Sequence, residues 1–273
     1  MVSGISPLHL YPGTRPHYNT LTPGLLLNGS LSRVHEYQNT YSATDGFMHC
    51  RQVISIDDTH VYVKYDTKLL IDVAVDANGS IFPLAFAICA NKSQKTWTLF
   101  LNYLKEHIVN QRSIICLISD RHGDILSSVQ NLRAWQEPYA YHCYCVRHLK
   151  NNFQRAHPNK DLHDLMWMAV TDHQECKFRR QMELIKQEDQ RAYTWLMRHE
   201  LNKWTLHADS GRRWGILTTN VSESFNGLLK SAHGLPVTVI VRMSFKQMAE
   251  RFVERSRGAS SLTERGVEFI PIP

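Results

Sequence analysis

Ile114 to Ile118 form an apolar run that stops abruptly at Ser119-Asp120-Arg121-His122. A short strand this apolar belongs inside a sheet covered on both faces, and such strands release their polar residues at the carboxyl end, where α/β sheets place ligands. Two earlier runs are also rich in strand formers: QVISIDDTHVYV (residues 52–63) and KLLIDVAVDANGS (68–80). The second closes on Asn78-Gly79, a hairpin signal leading into IFPLAFAICA (81–90). An antiparallel meander of three strands is expected there. Trp97, Phe100, Leu101, Leu104 and Ile108 then fall at helical spacing, ahead of a buried strand at 113–119 that includes Ile114. A helix is expected over 123–135 and a short strand at YAYHCYC (139–145). From about 148 to 207 only amphipathic helices are expected, with Leu162, Leu165, Met166 and Ala169 on one apolar face and Phe178, Met182 and Ile185 on another. Residues 220–256 read as a helix, a break at Gly234-Leu235-Pro236 and a second helix. The order is βββαβαβ, a helical block and a closing helix, which is an α/β fold.

The chain has 273 residues, 43% of them hydrophobic, enough to bury a sizeable core. Its formal charge of +6 is unevenly placed: residues 1–140 hold 11 Lys+Arg against 11 Asp+Glu, and residues 141–273 hold 20 against 14. A basic second half favours polyanionic partners, although Lys and Arg on solvated helix faces would give the same count. Six scattered cysteines suggest reduced thiols in an intracellular protein. No secretory leader and no run of about 18 apolar residues is present, so no membrane association is expected. Residues 1–46, rich in Gly, Pro, Ser, Thr and Asn, read as irregular or weakly ordered.

Asp57 follows VISI much as Asp120 follows ICLIS. If those strands are neighbours, two carboxylates point at one spot, and hard divalent cations take such oxygens. A strand-terminal Asp also commonly caps a turn or the next helix.

Five segments in order carry a more specific signal: ISIDDTHVYVKYDTKLL, VDANGSIFPLAFAI, ISDRHGDIL, CVRHL and TTNVSESFN. Together, over roughly residues 46–256, they resemble the Mutator-like element (MULE) transposases of plants. The resemblance implies a ribonuclease H-like mixed sheet with flanking helices, interrupted by an all-α insertion (about 149–215) before the last acidic residue of a DDE triad. The domain would span 47–257, followed by a truncated tail at 258–273. Asp57, Asp120 and Glu223 would be the triad, holding two Mg²⁺ or Mn²⁺ ions about 3.5–4 Å apart. The substrate would be DNA, both transposon ends and target, with residence in the nucleus. A homodimer is a further expectation. Glu223 also fits a first-turn acid favoured by the helix dipole, since TTNVSE resembles a helix start.

His142, Cys143, Cys145 and His148 have spacing reminiscent of zinc sites, but Cys-x-x-His supplies two ligands where structural zinc takes four, so zinc is not expected. Cys145 and His148 match a Cys-x-x-His signature of the MULE-like transposases. They would shape the neighbourhood of the acidic site or touch DNA; a buried thiol with a hydrogen-bonded histidine is the plainer alternative. Arg121, His122, Arg147, Asn220 and Asn226 are candidate DNA contacts. Trp195, Trp204 and Trp214 suit core packing more readily than stacking on bases.

The chain also departs from the MULE pattern. Asp58 and Asp124 stand where glycine is usual, Val63 replaces another glycine, and Asp72 stands where a small or apolar residue is expected. Extra carboxylates near a metal site would disturb it by like-charge repulsion. The amino-terminal DNA-binding region and the carboxyl-terminal zinc knuckle of relatives are not matched either. A catalytically inactive, transposon-derived DNA-binding protein or decayed fragment is therefore the alternative to an active DDE enzyme.

Overall fold

The computed structural model describes residues 44, 46–62, 66–76, 79–89 and 91–219, with positions 246, 250, 253 and 257 beyond them. Three strands, β1 (Cys50–Tyr62), β2 (Asp66–Asp76) and β3 (Ile81–Cys89), form the expected meander. The β2–β3 hairpin turns at Gly79, whose φ of +79° is open to glycine at no steric cost. Asp76 closes the turn by accepting the Ser80 N–H on its side chain (2.8 Å).

Ser93 caps α1 (Gln94–Leu104) by accepting the Thr96 N–H, and Trp97, Phe100, Leu101 and Leu104 turn inward as their spacing requires. The chain passes through a π-helical turn (Lys105–Val109) into β4 (Ile115–Ser119), whose residues are all buried. Then come α2 (Gly123–Asn131), β5 (Ala140–Tyr144) and four helices: α3 (Val146–Ala156), α4 (Lys160–Thr171), α5 (Glu175–Glu188) and α6 (Gln190–Met197). From Val146 to Thr219 the described residues hold helices and turns and no strand.

The sheet order is β3-β2-β1-β4-β5, antiparallel through the meander and parallel from β1 to β4 to β5. This is a mixed α/β architecture. One sheet face carries Ile54, Ile56, Leu70, Ala74 and Leu117 into a core shared with Trp97, Phe100 and Leu101 of α1 and Ile125 and Val129 of α2. The other face carries Val53, Cys116, Ile118, Cys143 and Cys145, against which Ile216 packs. The helical block has its own core, with Phe153, Met166, Met182, Leu196 and Trp204 buried.

Two details differ from expectation. Ile114 is not part of the buried strand: it is 53% exposed and has φ +61°, and its N–H bonds to Tyr139 O (2.8 Å). The turn into β4 uses that left-handed residue, and burial starts one residue later. Asp72 sits at an irregularity of the β2–β3 register, fully buried, with no hydrogen-bond partner for either oxygen. Burial raises its pKa well above the ordinary 3.8 by penalising the charged form.

The six cysteines are free thiols, five buried and Cys176 exposed. No helix among the described residues is long and apolar enough to cross a membrane.

Candidate functional site

The parallel half of the sheet builds the site. Ser55 pairs with Ile118 and Ser119 with Tyr144, so two residues beyond the first pair and one beyond the second the register sets Asp57, Asp120 and Cys145 level across β1, β4 and β5. Alternation puts Val53, Ser55 and Asp57 on the face that also carries Cys116, Ile118 and Asp120. That face is apolar where the strands are buried and acidic at Asp57 and Asp120; β4 ends just before Asp120, but β1, expected to end at Asp57, continues to Tyr62 along β2.

Each carboxylate is oriented locally. Asp57 is half-buried and its Oδ1 accepts the Asp58 N–H (2.9 Å). Asp120 is half-buried too, and its Oδ1 accepts the His122 N–H (3.0 Å) in the turn that starts α2. The turn-capping role open to Asp120 from sequence is thus filled by one oxygen, which also fixes the direction of the group.

His148 stands on the first turn of α3 and feels both acids. Its imidazole is held up to about 9, first by the Cys145 sulfur and, in the same direction, by the charges of Asp57 and Asp120, against the opposing cost of burial. Burial pushes the Cys145 thiol upward, but hydrogen bonds from His148 and Thr219 outweigh it and the net shift is downward. Cys145 Sγ accepts both the Thr219 N–H (3.3 Å) and the Thr219 hydroxyl (3.4 Å).

The remaining members of the His142-Cys143-Cys145-His148 set point elsewhere. His142 Nε2 bonds Ser119 Oγ (2.8 Å), and burial, helped by the charges of Lys203 and Arg213, lowers its pKa to about 3. Cys143 donates to Asn202 O (3.7 Å), and its thiol is drawn to about 7 chiefly by the neighbouring Cys116. Among the described residues no three His, Cys, Asp or Glu side chains form a metal-holding group.

Arg121 and His122 lie beside Asp120 and behave differently. Arg121 stacks over Tyr144 (5.6 Å) and Trp195 (5.5 Å) and its Nη1 meets His199 Nε2 (2.5 Å), tying the rim to the helical block. His122 is exposed and faces Asp124 (3.5 Å), as Arg147 is exposed on the first turn of α3. Trp204 is fully buried in the helical core, Trp195 packs at its edge, and Trp214 is 48% exposed. Glu223, Asn220 and Asn226 lie outside the described residues, as do Val63 and the break at Gly234.

The acids that depart from the MULE pattern are not gathered at the rim. Asp58 points to the opposite face from Asp57 and pairs with Lys92 (2.5 Å). Asp124 occupies the first turn of α2, where an acid suits the helix dipole. Thr219, which sequence reasoning did not single out as a contact, is the residue that links the rim to the returning chain; its only signal was its place inside TTNVSESFN.

Fold and rim together define a mixed α/β domain whose central parallel strands present two carboxylates at one edge. Residues 53–152 match the family model of the MULE transposase domain, a little over a third of the chain, running from β1 into α3 and containing Asp57, Asp120, Cys145 and His148. The match supports a transposase-related function and, with it, interaction with DNA. No curated protein matches the chain.

Proposed function

We propose that this chain is the catalytic domain of a MULE-type DDE transposase with a ribonuclease H-like fold, acting on DNA in the nucleus through Asp57, Asp120 and Glu223. The observation that carries the reading is the level placement of Asp57 and Asp120 on adjacent parallel strands, inside the matched stretch. Carboxylates at such a rim are the hard oxygen donors that Mg²⁺ and Mn²⁺ take, with Glu223 as the third. Bound there, the ions would activate the attacking hydroxyl and stabilise the leaving oxygen of a phosphodiester displacement. The chain's own part is orientation: the Asp58 and His122 N–H groups aim the two carboxylates. Arg147 and His122, exposed near the rim, offer phosphate contacts.

The inactive alternative gains little from the extra acids, because Asp58 is neutralised by Lys92 on the far face and Asp124 serves a helix start. The deciding experiment is a calorimetric titration of Mn²⁺ and Mg²⁺ into the chain and into Asp120→Ala. Saturable binding that disappears in the variant is expected, followed by metal-dependent cleavage of duplex DNA. Absence of binding in both proteins would transfer the reading to the DNA-binding relic.

A further inference from the structure

We infer that Trp214, with Arg212 beside it, is a docking point for an unpaired base of DNA, the kind that a single strand or a frayed end exposes. The inference rests on the DNA interaction within the proposed function and is independent of the acidic triad. Of the three tryptophans named from sequence in the basic half, Trp204 lies in the helical core and Trp195 packs at its edge, whereas Trp214 is 48% exposed. Trp214 also has φ +50°, a left-handed conformation that is strained for a residue with a bulky side chain.

A strained, outward ring persists only where its surroundings hold it, and here they do. Asp209, itself buried, accepts the Gly211 N–H on Oδ1 (2.8 Å) and the Arg213 N–H on Oδ2 (3.2 Å). The Trp214 N–H bonds to Gly211 O (3.1 Å) and the Ile216 N–H to Arg213 O (2.8 Å). Arg213 is completely buried, and its Nη1 donates to Tyr144 O at the end of β5 (3.4 Å). Ile216 packs on the sheet face that carries Val53, Cys116 and Ile118. The turn is therefore anchored on both sides of Trp214, and the ring is displayed instead of folded in.

The neighbouring charge indicates what the ring meets. The Arg212 guanidinium is half-buried, 3.7 Å from the Tyr141 ring centroid, and no carboxylate among the described residues pairs with it. Tyr141 alternates with Cys143 along β5, so Arg212 stands over the face that carries Asp57 and Asp120. A fixed aromatic face next to such a cation matches a nucleobase and its phosphate. Bases inside a duplex are covered by their own neighbours, so only an unpaired base has a face to offer. Because the ring is already held, stacking on it costs little further ordering.

The test is fluorescence anisotropy of a fluorescein-labelled thymidine oligonucleotide and of a duplex with GC-rich ends, each titrated with the full chain in EDTA so that the acidic site plays no part. Trp214→Ala should weaken single-strand binding by about 5–150-fold and leave duplex binding unchanged. Trp214→Phe, which keeps a ring, should recover most of the affinity. Arg212→Gln should weaken binding to both and lower the salt slope on the single strand by about 0.7, a slope that Trp214→Ala leaves alone. Trp214→Gly, which suits this φ, should bind as weakly as Trp214→Ala and melt no lower than the wild type. Wild-type affinity in Trp214→Ala, an equal loss on the duplex, or a lower melting temperature in Trp214→Gly overturns the inference, the last by assigning the ring to packing. A wild-type chain that binds the duplex and not the single strand overturns it while leaving the DNA interaction standing. One that binds neither overturns both.

Discussion

The two faces of the sheet treat carboxyl groups in opposite ways. On the face under α1 and α2, Asp72 lies mid-strand with both oxygens unpartnered, and burial in an apolar core raises its pKa. On the other face, Asp57 and Asp120 lie level across β1 and β4, backbone N–H groups orient them, and their charges help to hold the His148 imidazole up. The same side chain is thus a cost in one place and a candidate ligand in the other, and since Asp57 pairs with Ile71, next to Asp72, the face of the sheet decides which. Asp58 is the intermediate case: it shares a face with Asp72 but lies further along β1, where Lys92 reaches it at 2.5 Å.

The sharpest way to break this comparison is to neutralise one acid of each kind. Asp120→Asn keeps an acceptor for the His122 N–H, so the fold should persist while Mn²⁺ affinity falls by at least about 100-fold. Calorimetry and melting on the same sample separate the two effects. Asp72→Val should do the reverse and stabilise the chain by about 1–3 kcal/mol, because it removes an unsatisfied buried group without a partner to orphan. A lower urea midpoint in that variant would show that Asp72 has a role of its own.

Lys92→Met should cost about 1 kcal/mol by stripping Asp58 of its partner, and the penalty should vanish in the Asp58→Asn background, a double-mutant cycle by urea denaturation. The pH dependence sharpens the contrast further. Asp72 has a folded pKa raised above 3.8, so its contribution to stability is complete below about 4 and is lost as pH rises toward the folded value. His142 is the opposite case: its pKa falls from 6.5 to about 3, so stability is complete above 6.5 and is lost as pH falls toward 3. Asp72→Asn should flatten the first limb and His142→Gln the second, measured as urea midpoints across pH.

Much of the α/β scaffold is legible in the chain because hydrophobic periodicity and turn chemistry are local. Asn78-Gly79 announced the β2–β3 hairpin, and Trp97, Phe100, Leu101 and Leu104 face inward at their helical spacing. Ile114 departs from its pattern for the same reason: apolar identity marks a strand, but a left-handed turn residue shows no pattern of its own. Asp120 is recognisable as a strand-end acid, whereas Asp57, expected to end its strand as well, lies inside β1, because pairing with β2 carries that strand on to Tyr62.

What sequence by itself determined is the order of elements, the apolar faces and the identity of the acids, each set by neighbours within a few residues. Only the tertiary structure decided that β1 lies beside β4, that Asp58 turns away from Asp57 toward Lys92, and that Thr219 returns to the Cys145 sulfur across an interval of more than 70 residues. Sheet register and buried hydrogen bonds of that kind depend on groups distant in the chain, and no local pattern encodes which of them will meet.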